Sequence, residues 1–155
     1  MGGNVDARTD VEGRLATENP RNEEKRVALV TGAASGLGRA IALALKKDGL
    51  FVFGTSRHPA EPSVPPDFPL LQLDVRSDDS VRSALEHVRS LAGHLDLLVN
   101  NAGFRFLGAA EETSVDEAKA VFDTNFFGAH RVTAAALRSG QFVPARSSTS
   151  PRSRD

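Results

Sequence analysis

The sequence predicts an α/β fold, a parallel sheet wound doubly with helices on both faces, and three observations carry that prediction. Val27-Ala-Leu-Val30 is an uninterrupted apolar run too short for a helix, followed by glycines at 32, 36 and 38. A run that is apolar at every position, rather than at every second one, reads as a strand covered on both faces. Similar runs recur at residues 50–53, 70–73 and 95–99, and segments with helical spacing and helix-start signals lie between and after them. Strands that alternate with helices pair in parallel through right-handed crossovers.

Taken in order, residues 1–24 mix Gly, Asn, Asp, Glu, Arg and Thr with few large apolar side chains, the composition of a disordered N-terminal tail. After the first strand, Arg39-Ala-Ile-Ala-Leu-Ala-Leu-Lys-Lys47 is built from strong helix formers. A helix is expected over about 37–47, with Ile41, Leu45 and the alanines toward the sheet and Gly49 as its terminator. Lys46 and Lys47 suit the negative end of its dipole. Residues 50–53 form the second strand, leading to Gly54-Thr-Ser-Arg-His58. Five prolines between positions 59 and 69 forbid regular structure and predict a surface loop. The third strand, 70–73, ends at Asp74-Val75. Ser77 followed by Asp78 and Asp79 starts a helix, Val81, Ala84, Leu85, Val88 and Leu91 give it an apolar stripe, and Gly93 stops it. The fourth strand, 95–99, runs into Asn100-Asn-Ala-Gly103. Ser114-Val-Asp-Glu117 has the form of a capping box and opens one long helix to about Leu137. Residues 139–155 are rich in Ser, Arg and Pro and read as a disordered tail, a solvated stretch or a remnant of altered reading frame, with contact to RNA or an acidic surface as the other reading of its arginines. Residues 25–138 are therefore expected to form the folded domain, a doubly wound sheet truncated after the fourth strand and its following helix.

Composition narrows the function classes. The 155 residues suffice for one domain with a core. With 40% hydrophobic and 25% charged residues and a net charge of −1, the chain has no field to steer it toward nucleic acid or an anionic membrane. Cysteine is absent, which excludes disulfides, thiolate metal sites and thiol catalysis. No apolar run approaches the ~18 residues of a membrane span, and no apolar signal core opens the chain, so a cytosolic location is expected. His58, His87, His94 and His130 show no metal-ligand spacing and are expected at the surface. The chain contains no tyrosine.

The glycine turn points to a ligand. A helix N-terminus leaves its first N–H groups unpaired, and an anion docked there gains ~0.3–2 kcal/mol. A side chain at Gly36 or Gly38 would hold a diphosphate off, while Gly32 lets the chain turn. Strand, glycine turn and helix form the opening of a Rossmann-type dinucleotide-binding unit, unless the turn is merely tight and binds nothing. At the end of the second strand, an acidic residue would hydrogen-bond the ribose hydroxyls of NAD. This chain has Thr55, Ser56 and Arg57 there and no carboxylate before Glu61. A guanidinium with a hydroxyl can hold the 2′-phosphate of NADP, which is therefore expected over NAD. The other reading leaves Arg57 as a solvated loop residue.

Thr31 to Gly38 has the spacing Thr-Gly-x-x-x-Gly-x-Gly. With Leu73-Asp-Val75, Asn100-Asn-Ala-Gly103, and Asn125 within Thr124-Asn-Phe-Phe-Gly128, it makes residues 25–137 resemble the N-terminal portion of a short-chain dehydrogenase/reductase of the classical type. The resemblance implies hydride transfer between a nicotinamide cofactor and a small-molecule carbonyl or alcohol. It implies that Gly32, Ser35, Gly36, Leu37 and Gly38 line the diphosphate and adenine ribose, and that Ser56 and Arg57 meet the 2′-phosphate. Asp74 and Val75 would edge the adenine, unless Asp74 only caps a turn. Asn101, Ala102 and Gly103 would pass beneath the nicotinamide ribose, with Asn100 and Asn101 bracing the fourth strand. Asn125 matches the family's active-site asparagine, which disturbs the long helix and holds a water of the proton relay; otherwise it is a neutral surface residue. Phe104, Phe106 and Leu107 would touch an apolar substrate.

The family's proton donor is a tyrosine with a lysine four residues on, and this chain has no tyrosine. Ser147 and Ser148 sit one residue late for the family's serine, and Pro144 and Arg146 interrupt the strand that would carry it. The chain alone is thus expected to be inactive, and a non-catalytic nucleotide-binding or subunit-interaction module is the alternative. The family's sheet order, 3-2-1-4-5-6-7, would leave the fourth strand here as an open edge. Such an edge predicts marginal stability and association, by aggregation or with another subunit as in a homo-oligomer.

Overall fold

Each residue of the first strand faces one of two cores, and this places every other element. The structure, a computed structural model, describes residues 25–59, 67–105, 111 and 113–140. Both expected tails up to residue 24 and from 141 on, most of the proline-rich loop, and Glu61, Phe106, Leu107, Ser147 and Ser148 lie outside the described residues. Strand β1 is Val27–Val30 and is wholly buried. Val27 and Leu29 join one hydrophobic cluster, Ala28 and Val30 the other. A strand's alternation thus supplies both faces of the sheet, as an all-apolar run requires.

Helix α1, Gly36–Lys47, covers the Ala28/Val30 face through Ala42, Ile41 and Leu45. It ends as expected, with Gly49 at φ 85° and its N–H bonded to the Lys46 carbonyl. Strand β2, Phe51–Ser56, is longer than the apolar run alone indicates. Its last three residues are not strongly apolar, but they pair with β3, Leu70–Gln72, in the register Gly54↔Leu70 to Ser56↔Gln72. The proline-rich loop is not purely a surface feature: Phe68, at its end, is buried in the same cluster as Ala33 and Val52.

Helix α2, Asp78–Ala92, covers the opposite face with Val81, Ala84, Leu85, Val88 and Ala92. Ser77 caps it by accepting from the Ser80 N–H, and Gly93 ends it in the left-handed conformation. Strand β4, Leu97–Val99, is shorter than expected. The Asp96 side chain accepts from the Val27 N–H at 2.6 Å while the Asp96 N–H donates to the Val27 carbonyl, so a carboxylate replaces the ladder there. His94, half-buried rather than at the surface, stands 3.2 Å from that same carboxylate.

The long helix expected after Ser114 runs without a break to Arg138 and carries a π-helical stretch inside it: α3, Val115–Phe122, then the π-helical Asp123–Gly128, which holds Asn125, then α4, Ala129–Arg138. The capping box is present in full, and its Ser114 hydroxyl and N–H hold the Glu117 carboxyl below the usual carboxylate range. Val132 and Ala136 of α4 join the α2 cluster. All pairs are parallel and the strand order is β3-β2-β1-β4, so the chain winds outward from β1 in both directions. That reversal opens a crevice at the carboxyl ends of β1 and β4.

Candidate functional site

The crevice is walled by the glycine turn, the carboxyl ends of β2 and β3, and the segment after β4. The turn is pinned from both sides. Thr31, 1% exposed, accepts through its hydroxyl from the N–H groups of Asn101 and Ala102, both at 2.9 Å. The Asn101 amide returns two bonds, donating to the carbonyls of Thr31 at 2.9 Å and Gly32 at 3.2 Å. From the β2 side, Thr55 accepts from the N–H groups of Gly32, through its hydroxyl, and Ala33, through its carbonyl. The turn is therefore preorganised before any ligand arrives.

Within this frame the glycines divide their roles. Gly36 has φ 56°, and a Cβ there would meet nothing within 4 Å: it is an open position in a conformation L residues rarely adopt. Gly38 is buried instead, and a Cβ there would collide with the Asn101 amide and the Gly32 carbonyl, so its place is to close α1 onto the turn. Three helices begin after a serine, yet only Ser77 and Ser114 cap theirs; Ser35 makes no capping bond, and α1 has no acidic residue in its first turn. The N-terminus of α1 thus has neither a side-chain cap nor a first-turn carboxylate to offset the positive end of its dipole. Leu37 in that turn is 71% exposed.

At the outer ends of β2 and β3, Ser56 accepts from the His58 N–H, and the Arg57 carbonyl accepts from the Gln72 side chain. The Arg57 side chain is exposed and forms no ion pair among the described residues. Asp74 is held by Arg76: its Oδ1 accepts from the backbone N–H and from Nε, both at 3.0 Å, and its Oδ2 from Nη2 at 2.7 Å. The Arg76 guanidinium, with a smaller contribution from Arg57, holds the Asp74 carboxyl at about 2. A carboxylate offers about four acceptor sites; Arg76 fills both on Oδ1 and one on Oδ2. One is left, enough for a single amine. Val75 is buried, and its carbonyl accepts from Arg131 at 2.6 Å.

Past β4, Asn100 donates to the Thr133 hydroxyl of α4 at 2.9 Å. Asn125 lies in the π-helical stretch and clamps Phe104 with both ends of its amide, accepting from the N–H at 3.0 Å and donating to the carbonyl at 2.9 Å. π-helical turns inside α-helices often mark functional positions. Two hollows, about 470 Å3 beside Val115 and Phe122 and about 750 Å3 between α2 and α4, are lined by none of these crevice residues.

The family model for short chain dehydrogenases matches residues 26–145. The chain belongs to the short-chain dehydrogenase family. Among its relatives is the 3-ketodihydrosphingosine reductase of Bacteroides thetaiotaomicron, 39% identical over 114 residues, which span 74% of this chain and 42% of that protein. Another is the 3-oxoacyl-(acyl-carrier-protein) reductase of Escherichia coli, 34% identical over 122 residues, 76% of this chain and 50% of that one. Of solved structures, the aldohexose dehydrogenase of Thermoplasma acidophilum superposes with a TM-score of 0.67 at 32% identity, covering 74% of this chain and 44% of that one. A short-chain dehydrogenase from Streptomyces avermitilis gives the same score at 37% identity. This short-chain dehydrogenase chain thus spans half or less of the length of these relatives.

The structure gathers Gly32, Ser35, Gly36, Leu37, Gly38, Asn101, Ala102 and Gly103 around one turn, and places Asn125 behind Phe104. Ser56, Arg57, Asp74 and Val75 form a second group at the adjoining ends of β2 and β3. Thr31 and Thr55 stand in the sequence motifs without an assigned role, and Arg76 is not among the candidate residues. For Thr31 a signal existed, since a threonine between an apolar strand and a glycine is a hydroxyl entering the core; for Arg76 there was none beyond its place two residues after Asp74.

Proposed function

We propose that this chain is the cofactor-binding portion of an NADP(H)-dependent oxidoreductase that acts on a small-molecule carbonyl or alcohol. The observation that carries the reading is the uncapped N-terminus of α1 beside the open, positive-φ Gly36, at the point where the strand order reverses. A nucleotide diphosphate fits those donors: the amides around Ser35, Gly36 and Leu37 bind the anion, and Gly32 and Gly38 keep the turn closed. The Ser56 hydroxyl and the Arg57 guanidinium hold a 2′-phosphate, which is why NADP is preferred to NAD. Asp74 accepts one amine hydrogen at its remaining site, beside Val75. Asn101, Ala102 and Gly103 support the nicotinamide ribose, and Asn125 keeps the Phe104 segment in place and positions water for proton transfer. When bound, the nicotinamide supplies the hydride. The names of the relatives, reductases of 3-keto and 3-oxo compounds, support a carbonyl substrate. A cytosolic location belongs to the same reading and is checked by fractionation.

The missing tyrosine favours a second reading of the chain taken alone. The loss of a positioned general acid costs ~10²–10⁴ in rate, so these 155 residues bind cofactor without turning it over, or pair with another subunit that does. NADPH fluorescence separates the cases. Enhancement is expected with the parent chain, weaker for NADH, and lost in Gly36→Val that retains its circular dichroism. Arg57→Ala is expected to weaken NADPH by roughly 10–100-fold, the loss of a hydrogen bond to a charged group. No enhancement in the parent removes the cofactor reading, and ordinary ketone reduction by the purified chain removes the claim of inactivity.

A further inference from the structure

A carboxylate at the end of β3 is out of place beside a site for a doubly charged phosphate. The Leu73 N–H donates to the Ser56 carbonyl at 2.8 Å and the Gln72 side chain to the Arg57 carbonyl at 3.3 Å, so Asp74 is one strand across from Ser56 and Arg57. Asp74 is 30% exposed and ionised at neutral pH. Left alone, it would repel an incoming phosphate and draw the Arg57 side chain onto itself. Arg76 prevents both by placing Nε and Nη2 on the two carboxylate oxygens in a bidentate pair. The charges that face this pair from the packed elements are Arg57 and, from the π-helical stretch, Asp123. Asp123 shares a cation with Asp78: Arg131 stands 3.7 Å from Asp123 and 2.9 Å from Asp78. With Asp74 paired to Arg76, Arg57 is left with no ion pair among the described residues at the ends of β2 and β3.

We propose that Arg76 is a specificity-determining residue: its guanidinium, locked on Asp74, neutralises that carboxylate and frees Arg57 to select a cofactor with a 2′-phosphate. The inference rests on the NADP(H) reading and deepens it, assigning the preference to a three-residue charge arrangement rather than to Arg57 alone. The turn does not depend on the Arg76 side chain, because the backbone N–H of residue 76 bonds to Asp74 Oδ1 whatever side chain it carries. The side chain can therefore be removed with the Asx turn intact.

The test is titration of the full chain with NADPH and NADH, followed by cofactor fluorescence, for the parent, Arg76→Ala, Arg76→Lys, Asp74→Asn and the Arg76→Ala/Asp74→Asn double variant. Arg76→Ala is expected to weaken NADPH by about tenfold, equivalent to about 1.4 kcal/mol, and NADH by less than threefold. Arg76→Lys, which keeps the charge, retains most of the preference, and Asp74→Asn in the Arg76→Ala background restores it. A loss shared equally by both cofactors, or an unchanged NADPH-to-NADH ratio in Arg76→Ala, overturns the proposal while leaving the NADP(H) reading intact. A parent chain that binds both cofactors equally overturns that reading and this inference with it. Arg76→Ala that fails to fold is replaced by the Arg76→Lys and Asp74→Asn comparison, in which an Asp74→Asn variant with weaker NADPH preference than the parent would contradict the role of neutralisation.

Discussion

The Thr31 hydroxyl accepts from two backbone amides and lies 3.3 Å from the Val99 carbonyl, to which it donates, all at a position 1% exposed. Thr31→Val keeps the shape but leaves the Asn101 and Ala102 amides without their acceptor. A buried unsatisfied donor costs ~1–3 kcal/mol, so Thr31→Val is expected to lower the urea-unfolding free energy by about 2–4 kcal/mol, measured with the m-value unchanged. Asp74 gives a pH signature. Its folded value, about 2, lies below the ~3.9 of an unfolded Asp. Its contribution to stability is complete above the unfolded value and disappears as pH falls through the folded one. Between about pH 4 and pH 2 the parent should therefore lose stability faster than Asp74→Asn, read from urea midpoints along that range. At this scale the sequence showed the polar residues of the crevice but not their partners. Thr31 meets Asn101 across 70 positions and Asn125 meets Phe104 across 21, and no local pattern encodes such pairs.

Among elements, the helix starts make the sharpest comparison. Ser114 and Ser35 precede helices in the same chain, but only Ser114 accepts a capping bond. Ser114→Ala should destabilise by ~0.5–2 kcal/mol, while Ser35→Ala should stay within about 0.5 kcal/mol; thermal or chemical denaturation of the two single variants checks the contrast. Both serines look alike in sequence. Glu117 at the third helical position completes a capping box with Ser114, while Gly38 holds that place in α1; Ser77 caps α2 with Ser80 there, so the glutamate alone does not decide the capping bond. The π-helical stretch of the last helix belongs to the same scale. Its apolar spacing and its caps read as continuous, and the π-helical stretch coincides with the point where Asn125 reaches back to the Phe104 backbone.

Taken whole, the described residues leave apolar surface without a covering layer among them. Phe122, Phe126 and Phe127 are each more than half exposed along one helical stretch, with Val115 at 69%. The outer edge of β4 has no strand partner among the described residues. Open apolar edges and patches of this kind promote association. Sedimentation velocity of the purified chain should show species heavier than the monomer, reduced by a charge at Phe122 or Phe126. A monodisperse monomer with a sharp cooperative melt would contradict it.

By itself the sequence determined the alternation of strands and helices, the apolar turn-to-helix opening, the capping box and the uncommitted end of β2, because each is written in residues within a turn or two of one another. The tertiary structure alone decided how far β2 runs, that Asp96 stands in for a ladder bond, that Phe68 belongs to the core, and that Arg76 holds Asp74. Strand pairing decides the first two, burial the third, and the fourth turns on which rotamer brings a guanidinium onto a carboxylate two residues away. Pairing and packing bring distant residues together, and their energies depend on geometry that composition and spacing do not contain.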